Sequence, residues 1–276
     1  MGKLATVKNV LKAGGPLGLI SAVKSKLLNE VFSTHYNWYL GKLVELRGNV
    51  VHINGCSFSV NSPIISTPFK SEFLFDNYEK QERQAINRFL DSTMPIVELG
   101  GSIGVVSCLA NRKLSDPSQH VVIEANPVLI PLLEENRNRN GCKFTILPGA
   151  VAYGTRQVVF HSNSTNFVGS TALTHHANDT IVGDILEDVE VQTITLQSVL
   201  DQYGFDHCTL ICDIEGGEAA LIEHEFDLIS RKVRTIIIEV HEYFLGEAGV
   251  RSLLARLESL GFRCLSSNLE TYVFQK

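Results

Sequence analysis

The chain has 276 residues, of which 44% are hydrophobic and 20% are charged, and its formal net charge is −6. This length is enough for one α/β domain with a large buried core and a smaller appendage. The negative charge argues against broad nucleic-acid binding, which needs a basic face. No apolar run reaches about 18 residues, so we expect no membrane span.

The cysteines of the chain lack the spacing of a zinc site or a disulfide framework, because no C-x-x-C pair occurs. Most of them lie in or beside apolar runs. We therefore expect free, buried thiols in a reducing compartment, which points to a cytoplasmic protein. The six cysteines are Cys56, Cys108, Cys142, Cys208, Cys212 and Cys264.

The N-terminal segment 3–28 carries lysines and no acidic residue, and its apolar residues begin at helical spacing with Leu4, Val7, Val10 and Leu11. It lacks the long apolar core and the cleavage site of a secretory signal. A helix that packs on the domain or on a partner subunit is favoured, which makes a homodimer the expected assembly. Peripheral contact of this helix with a membrane surface is the alternative.

A hairpin is predicted next, over residues 49–60, because alternating strands flank Asn54-Gly55. Residues 61–75 follow as a loop, and a helix is expected from Asp76 to Leu90. We therefore divide the chain into an N-terminal cap, residues 1–75, and a main domain, residues 76–276.

The main domain alternates strands with helices, and its strands are almost continuously apolar. This pattern predicts a parallel sheet that is covered by helices on both faces. Strands are expected at 95–99, 120–125, 143–147, 208–214 and 233–240, with extended pieces at 156–161 and 188–196. Helices are expected from Ser102, over 127–138, over "LQSVLDQY", over 217–229 and over 247–260.

The chain closes with "FRCLSS" and "TYVFQ", two strands that are joined by about four residues. A parallel pair needs a crossover of a dozen or more residues, so these two strands must be antiparallel. The predicted architecture is a mostly parallel seven-stranded sheet that ends in an antiparallel hairpin.

The loop after the first strand of the main domain contains three glycines in "VELGGSIG", residues 97–104. In a doubly wound sheet, ligands bind at the carboxyl ends of the strands, so this loop is the expected ligand site. Gly100, Gly101 and Gly104 do not fit the G-x-G-x-x-G spacing of a dinucleotide site, and no Gly-Lys-Ser/Thr follows for a nucleoside triphosphate. Packing alone is the alternative role of these glycines.

S-adenosylmethionine fits this loop better, because it needs close backbone approach, a carboxylate for its ammonium group and an acid on its ribose hydroxyls. Glu98 offers the first carboxylate. Glu124 closes the second strand, 20 residues after Gly104, where the ribose acceptor of such folds lies. Gly149 and Ala150 follow the third strand and are expected to border the adenine. The predicted cofactor residues are Glu98, Gly100, Gly101, Ser102, Gly104, Glu124, Ala125, Asn126, Gly149, Ala150 and Asp213.

The same stretch, "VELGGSIG", resembles motif I of class I methyltransferases. Further on, "CDIEGGEAALI" and "TIIIEVHEY" resemble blocks of the FkbM-type methyltransferase family, and the resemblance covers about residues 78–275. It implies a Rossmann-like class I methyltransferase fold that binds S-adenosylmethionine and methylates oxygen nucleophiles, often sugar hydroxyls. Glu98, Gly101 and Ser102 replace the family's usual Asp, Ala and Asn. Glu98 keeps the carboxylate, and Ser102 can cap the following helix.

Candidate catalytic residues lie at two later strand ends. Asp213 ends one strand, and Glu239 and His241 end the next, so they converge if the two strands are neighbours. An aliphatic hydroxyl is a weak nucleophile and needs a base or a metal ion. We assign His241 as the candidate base and Asp213 as a contact to cofactor or substrate. A purely structural role for His241 is the alternative. A magnesium ion held by Asp213, Glu239 and a neighbour is conceivable, but no metal signature is visible and no metal ligand is assigned.

Residues 161–180 form a long polar segment, which we interpret as a lid on the substrate side. The leading hypothesis is an O-methyltransferase that acts on a small-molecule or glycan acceptor. Two alternatives are a non-catalytic scaffold that keeps the cofactor pocket and an oxidoreductase that uses a nicotinamide cofactor.

Overall fold

A computed structural model describes residues 37–75, 77–163 and 186–276. The strands are β1 Val50–Ile53, β2 Cys56–Ser59, β3 Ile96–Leu99, β4 His120–Glu124, β5 Thr145–Pro148, β6 Ala150–Val151, β7 Gln157–Asn163, β8 Leu186–Ile194, β9 Cys208–Cys212, β10 Val233–Glu239, β11 Arg263–Asn268 and β12 Thr271–Gln275. The helices are α1 Trp38–Leu46, α2 Lys80–Phe89, α3 Val105–Asn111, α4 Ile130–Arg139, α5 Leu196–Tyr203, α6 Glu218–His224, α7 Phe226–Lys232 and α8 Glu242–Ser259, with a 3₁₀ helix at Phe69–Phe73.

The main sheet has seven strands in the order β11-β12-β10-β9-β3-β4-β5. Strands β10, β9, β3, β4 and β5 run parallel, whereas β12 is antiparallel to both of its neighbours. Every residue of β3, β4 and β9 is buried, which explains their continuous apolar character. The predicted seven-stranded sheet with its closing antiparallel hairpin is confirmed.

Helices cover both faces of this sheet, because successive side chains of a strand point to opposite sides. Val97 and Leu99 of β3 pack into a core with α5, α6, α7 and α8. Ile96 packs on the other side with α2 and α3, and Val122 of β4 packs there with α4. The sheet is therefore the middle layer of three.

The predicted hairpin in the N-terminal cap is confirmed as β1 and β2, which pair antiparallel with Ile53 opposite Cys56. Asn54 has φ +48° and Gly55 has φ +79°. These positive angles are those of a two-residue type I′ turn, for which Asn-Gly is the preferred sequence.

Asn136 ties this hairpin to the main domain. Its side chain is fully buried; Oδ1 accepts a hydrogen bond from Ser59 N at 2.6 Å, and Nδ2 donates to Ser59 O at 3.1 Å and to Ile103 O at 2.8 Å. Around it, Phe58 and Leu133 belong to one continuous buried cluster. The described part of the N-terminal cap therefore shares a core with the sheet.

Of the six helices predicted in the main domain, α5 over "LQSVLDQY" has the predicted bounds, whereas those expected at 76–90 and 127–138 are Lys80–Phe89 and Ile130–Arg139. The other three differ for reasons that the structure shows. The helix expected from Ser102 begins at Val105, because positive φ at Ser102 (+46°) and Gly104 (+86°) keeps the loop out of the helical region. The helix expected over 217–229 is two helices that meet at Glu225. The last helix begins at Glu242 rather than at 247 and is interrupted by Gly246, whose φ is +66°.

A smaller sheet, with strands in the order β6-β8-β7, contains the extended pieces expected around 156–161 and 188–196. The predicted lid at 161–180 lies outside the described residues, apart from its first three positions. The predicted N-terminal helix within 3–28 also lies outside them.

All six cysteines belong to the described residues and are free, as expected, although Cys264 is exposed. Within the described ranges, the structure contains no helix with both the length and the apolar character to cross a membrane.

Replacement of Asn136 by Ala is expected to lower the free energy of unfolding by about 2 to 4 kcal/mol, because buried backbone groups of Ser59 and Ile103 lose their partners. Asn138→Ala is the matched control: it lies on the same helix but is exposed. Its cost should stay below about 0.5 kcal/mol. Urea unfolding of both variants measures the difference, and equal losses would contradict the role given to Asn136.

Candidate active site

A pocket of about 330 Å³ opens at the carboxyl ends of the central strands. Gly100 follows β3, Glu124 ends β4, Asp213 follows β9 and Glu239 ends β10, and all four line this pocket. Because these strands are parallel neighbours, their ends meet at one edge of the sheet, where doubly wound folds bind ligands.

Gly100 fits its position because another backbone segment comes very close. Its φ is +89°, and a Cβ placed there would lie 1.8 Å from the carbonyl oxygen of Asp213. The loops after β3 and β9 are held together by the hydrogen bond from Asp213 N to Leu99 O, at 2.9 Å. Only glycine combines this φ with this approach.

Gly101 and Gly104 do not line the pocket. A Cβ at Gly101 would lie 2.4 Å from Cγ1 of Val122, and one at Gly104 would lie 2.7 Å from Cδ1 of Leu133. These two glycines make room for packing against β4 and α4. Of the two roles considered for the glycines, ligand contact and packing, the structure supports packing for Gly101 and Gly104.

Glu98 also lies outside the pocket lining. Its side chain is buried, with Oε1 accepting a hydrogen bond from Ser107 Oγ at 2.6 Å and Oε2 lying 3.0 Å from His120 Nε2. It points to the same face of β3 as Ile96, into the helix layer. The expectation that Glu98 lies beneath the ammonium group of a ligand does not fit this arrangement.

Glu124 is held in the pocket wall by two backbone donors. Oε1 accepts from Asn126 N and Oε2 accepts from Ser102 N, both at 2.6 Å. Burial raises the pKa of this carboxyl to about 7, although the two hydrogen bonds act in the opposite direction. Ser102 was expected to cap α3, but it does not. Its Oγ lies 3.0 Å from Tyr78 Oη, and the residue at the N-cap is Gly104.

Asn126 brings an unused donor to the same wall. The residue is 1% exposed, and its Oδ1 accepts from Val128 N at 3.1 Å, but its buried Nδ2 has no hydrogen-bond partner among the described residues. Ala125, Gly149 and Ala150 line the pocket beside it. Buried donors are almost always paired, so this one is suited to a ligand acceptor.

The predicted convergence of Asp213, Glu239 and His241 is observed, because β9 and β10 are adjacent. One possible ligand atom of each lies within 4.8 Å of the others. His241 Nε2 is 3.6 Å from Asp213 Oδ1 and 3.5 Å from Glu215 Oε2, while its Nδ1 is 3.0 Å from Glu218 Oε1. The imidazole is thus surrounded by carboxylates.

The charges of this cluster depend on one another. Burial raises the pKa of Asp213, Glu215 and Glu239 above the usual range of carboxyls. Burial alone would lower the pKa of His241, but its hydrogen bond to Glu218 and the nearby carboxylates outweigh burial and raise it. Such groups titrate together, so the cluster shares its protons.

Sequence reasoning missed one wall of the pocket, which comes from the end of the N-terminal cap and the start of α2. This wall contains Phe69, Glu72, Tyr78, Glu79 and Glu82. The sequence of residues 61–75 predicts only a loop, and the one signal that it offers is the density of acids in "SEFLFDNYEKQE". Glu79 has φ +47°, and burial raises the pKa of its carboxyl well above its usual value.

Comparison with known proteins places a methyltransferase family model, described as the FkbM methyltransferase domain, on residues 98–264. A comparison with curated proteins found no match. The solved structures that the chain resembles at low identity include the following three. Precorrin-6y C5,15-methyltransferase from Geobacter metallireducens is 12% identical, with 71% of this chain and 86% of that chain covered and a TM-score of 0.40. Trm5b from Pyrococcus abyssi is 12% identical, with 82% and 53% covered and a TM-score of 0.43. Fibrillarin from Aeropyrum pernix in complex with S-adenosyl-L-methionine is 9% identical, with 70% and 72% covered and a TM-score of 0.39.

Replacement of Gly100 by Ala is expected to cost at least about 3 kcal/mol of unfolding free energy, since the new methyl group must displace the backbone of Asp213. Gly154→Ala is the matched control, because Gly154 has φ +81° with open space around it. That control keeps the strain of a positive φ and should cost about 1 kcal/mol. Thermal and urea unfolding give both numbers, and a Gly100→Ala protein as stable as the control would refute the close approach.

Ionisation of Glu124 should destabilise the ligand-free fold. Its pKa in the folded state is about 7, above the usual 4.5, so the folded chain keeps a proton that the unfolded chain releases. This contribution to stability is therefore lost as the pH rises from about 4.5 to about 7, and it amounts to about 3 kcal/mol.

The Glu124→Gln variant lacks that titration. The difference in unfolding free energy between variant and wild type should move by about 3 kcal/mol in favour of the variant between pH 5 and pH 8. Glu134→Gln, an exposed change on α4, is the control and should show a constant difference. A constant difference for Glu124→Gln as well would show that its carboxyl titrates normally.

Proposed function

Because the chain belongs to the FkbM methyltransferase family, we propose that it is an S-adenosylmethionine-dependent O-methyltransferase whose acceptor is a hydroxyl of a sugar or of a glycosylated natural product. One observation carries the proposal. A single pocket joins a wall suited to the cofactor, with Gly100, Glu124 and Gly149, to the cluster of Asp213 and His241.

The residues of the first wall fit the cofactor. Gly100 and Gly149 line the pocket with main-chain atoms alone, because the space that a Cβ would take is filled by Asp213 at Gly100 and by Gln192 and Ile194 at Gly149. Glu124 offers a carboxylate for the ribose hydroxyls, and the unused Nδ2 of Asn126 can donate to a ring nitrogen or hydroxyl. When bound, S-adenosylmethionine supplies an electrophilic methyl group on a sulfonium centre.

The charge of the pocket also favours this cofactor, whose sulfonium and ammonium groups are cationic. Seven carboxyl side chains line the pocket, and neither Lys nor Arg occurs among the lining residues that the structure describes. A concave site lined by one sign of charge attracts the opposite charge. The carboxyls are Glu72, Glu79, Glu82, Glu124, Asp213, Glu215 and Glu239.

The cluster at β9 and β10 supplies the acid–base chemistry. A hydroxyl group loses its proton as its oxygen bonds to the methyl carbon, and that proton passes to the cluster of Asp213, Glu239 and His241. Positioning the oxygen on the axis of the breaking carbon–sulfur bond contributes much of the rate. Within the cluster, Glu218 orients the imidazole of His241, with Oε1 3.0 Å from Nδ1.

The pocket also restricts the acceptor. An anionic acceptor such as a phosphate or carboxylate would be repelled by Glu72 and Glu82, whereas a neutral polyhydroxyl compound would not. The aromatic rings of Phe69 and Phe160 line the same pocket and can pack on the apolar face of a sugar ring. These features favour a neutral sugar over a charged one.

Transfer of labelled methyl groups to a panel of neutral and phosphorylated glycosides tests the proposal, with transfer expected to neutral members. Glu239→Gln should lower the turnover about 100-fold, as for loss of an acid–base group, with cofactor affinity changed less than about 3-fold. Glu242→Gln, exposed and next to His241, is the control and should keep wild-type turnover.

Calorimetry separates the cofactor wall from the cluster. Glu124→Gln should weaken S-adenosylmethionine binding about 10- to 100-fold, because a charge-assisted hydrogen bond is lost. Glu134→Gln should leave it unchanged. Cofactor binding without transfer to any acceptor would favour a scaffold protein, and NADH binding without S-adenosylmethionine binding would favour an oxidoreductase.

A further inference from the structure

Asp213, Glu239 and His241 each bring a possible metal-ligand atom to the same part of the pocket. One possible ligand atom from each lies within 4.8 Å of the others. The distances from His241 Nε2 to Asp213 Oδ1, 3.6 Å, and to Glu215 Oε2, 3.5 Å, are too long for good hydrogen bonds. Ligands about 2.1 Å from one ion lie about 3 Å apart when adjacent and about 4.2 Å apart when opposite.

The orientation of His241 is a second observation. Its Nδ1 lies 3.0 Å from Oε1 of Glu218, which is fully buried and also accepts hydrogen bonds from Ile214 N and Gly216 N. Metal-ligating histidines are commonly held this way, with one ring nitrogen on a carboxylate and the other on the metal. Here the arrangement leaves Nε2 as the nitrogen that faces Asp213.

An unused buried oxygen is the third observation. Oδ1 of Asp213 is shielded from solvent and has no hydrogen-bond partner among the described residues. It lies 3.6 Å from Nε2 of His241. A buried carboxylate oxygen without a donor is costly, and a cation at this point would satisfy it.

We propose that Asp213, Glu239 and His241 bind one divalent cation of the Mn²⁺ and Mg²⁺ class, with Glu218 as the residue that positions His241. Two carboxylates and one imidazole suit Mn²⁺ well, whereas structural zinc sites use mainly cysteine and histidine. Because all three ligands line the pocket, the remaining coordination positions face the space where an acceptor hydroxyl would lie.

This site does not depend on the proposed reaction, since it can be measured without cofactor or acceptor. Titration of the ligand-free, full-length protein with MnCl₂, followed by electron paramagnetic resonance, should show one saturable site per chain. Asp213→Asn and Glu239→Gln should each weaken binding more than 10-fold, while Glu242→Gln should change it less than 2-fold. Absence of a saturable site, or equal affinity in all variants, would overturn the assignment.

A measurement on the wild type guards against variants that fail to fold. Electron spin echo spectroscopy of the Mn²⁺-loaded protein should show coupling to an imidazole ¹⁴N, and His241→Gln should lose it. Bound Mn²⁺ without that coupling would overturn the role of His241. A saturable Mn²⁺ site without methyl transfer would leave this inference standing and refute the proposed function. Methyl transfer at full rate by a protein that binds no Mn²⁺ would refute the metal site and leave the proposed function standing.

Discussion

The site depends on the backbone contact between the loops that follow β3 and β9. Gly100 lies against the carbonyl of Asp213 so closely that no side chain fits between them, and Asp213 N donates to Leu99 O. These contacts fix where Asp213 stands relative to the ligand wall formed by β3 and β4. They explain how one pocket contains both a wall of backbone and small residues, after β3 and β4, and a cluster of acidic residues, after β9 and β10.

Burial of that cluster costs free energy, because carboxylates that are removed from water must be paired with positive charge or with hydrogen-bond donors. His241 Nε2 or Nδ1 lies within 3.6 Å of an oxygen of Asp213, Glu215 and Glu218, and Glu218 holds it from the buried side. The imidazole cation, the cationic cofactor and a divalent ion are three ways to compensate the same charges. A pocket of this composition should therefore be most stable when a cation occupies it.

Much of the sheet could be predicted, because apolar strands, helical periodicity and a connection too short for a crossover determine the strand order and direction. The same order explains why Glu124, Asp213 and His241 were placed in one site. The roles of Glu98 and Gly101 could not be predicted, because sequence does not say which face of a strand meets which helix. The ion-pair geometry around His241 was also hidden, since it depends on Glu218, which sequence alone suggests is only a helix-start charge.

The wall from the N-terminal cap was hidden for a different reason: nothing local in a proline-containing loop shows that it returns to the sheet edge. The position of this wall couples Tyr78 to the opposite wall of the pocket, which contains Ser102 and Glu124. Tyr78 Oη contacts Ser102 Oγ, and Ser102 N donates to the carboxylate of Glu124, so hydrogen bonds of Ser102 link the two walls of the pocket. A polar network of this kind acts as a unit, because each member fixes the orientation of the next. Changes at Tyr78 should therefore also alter the position of Ser102 and Glu124 on the opposite wall of the pocket.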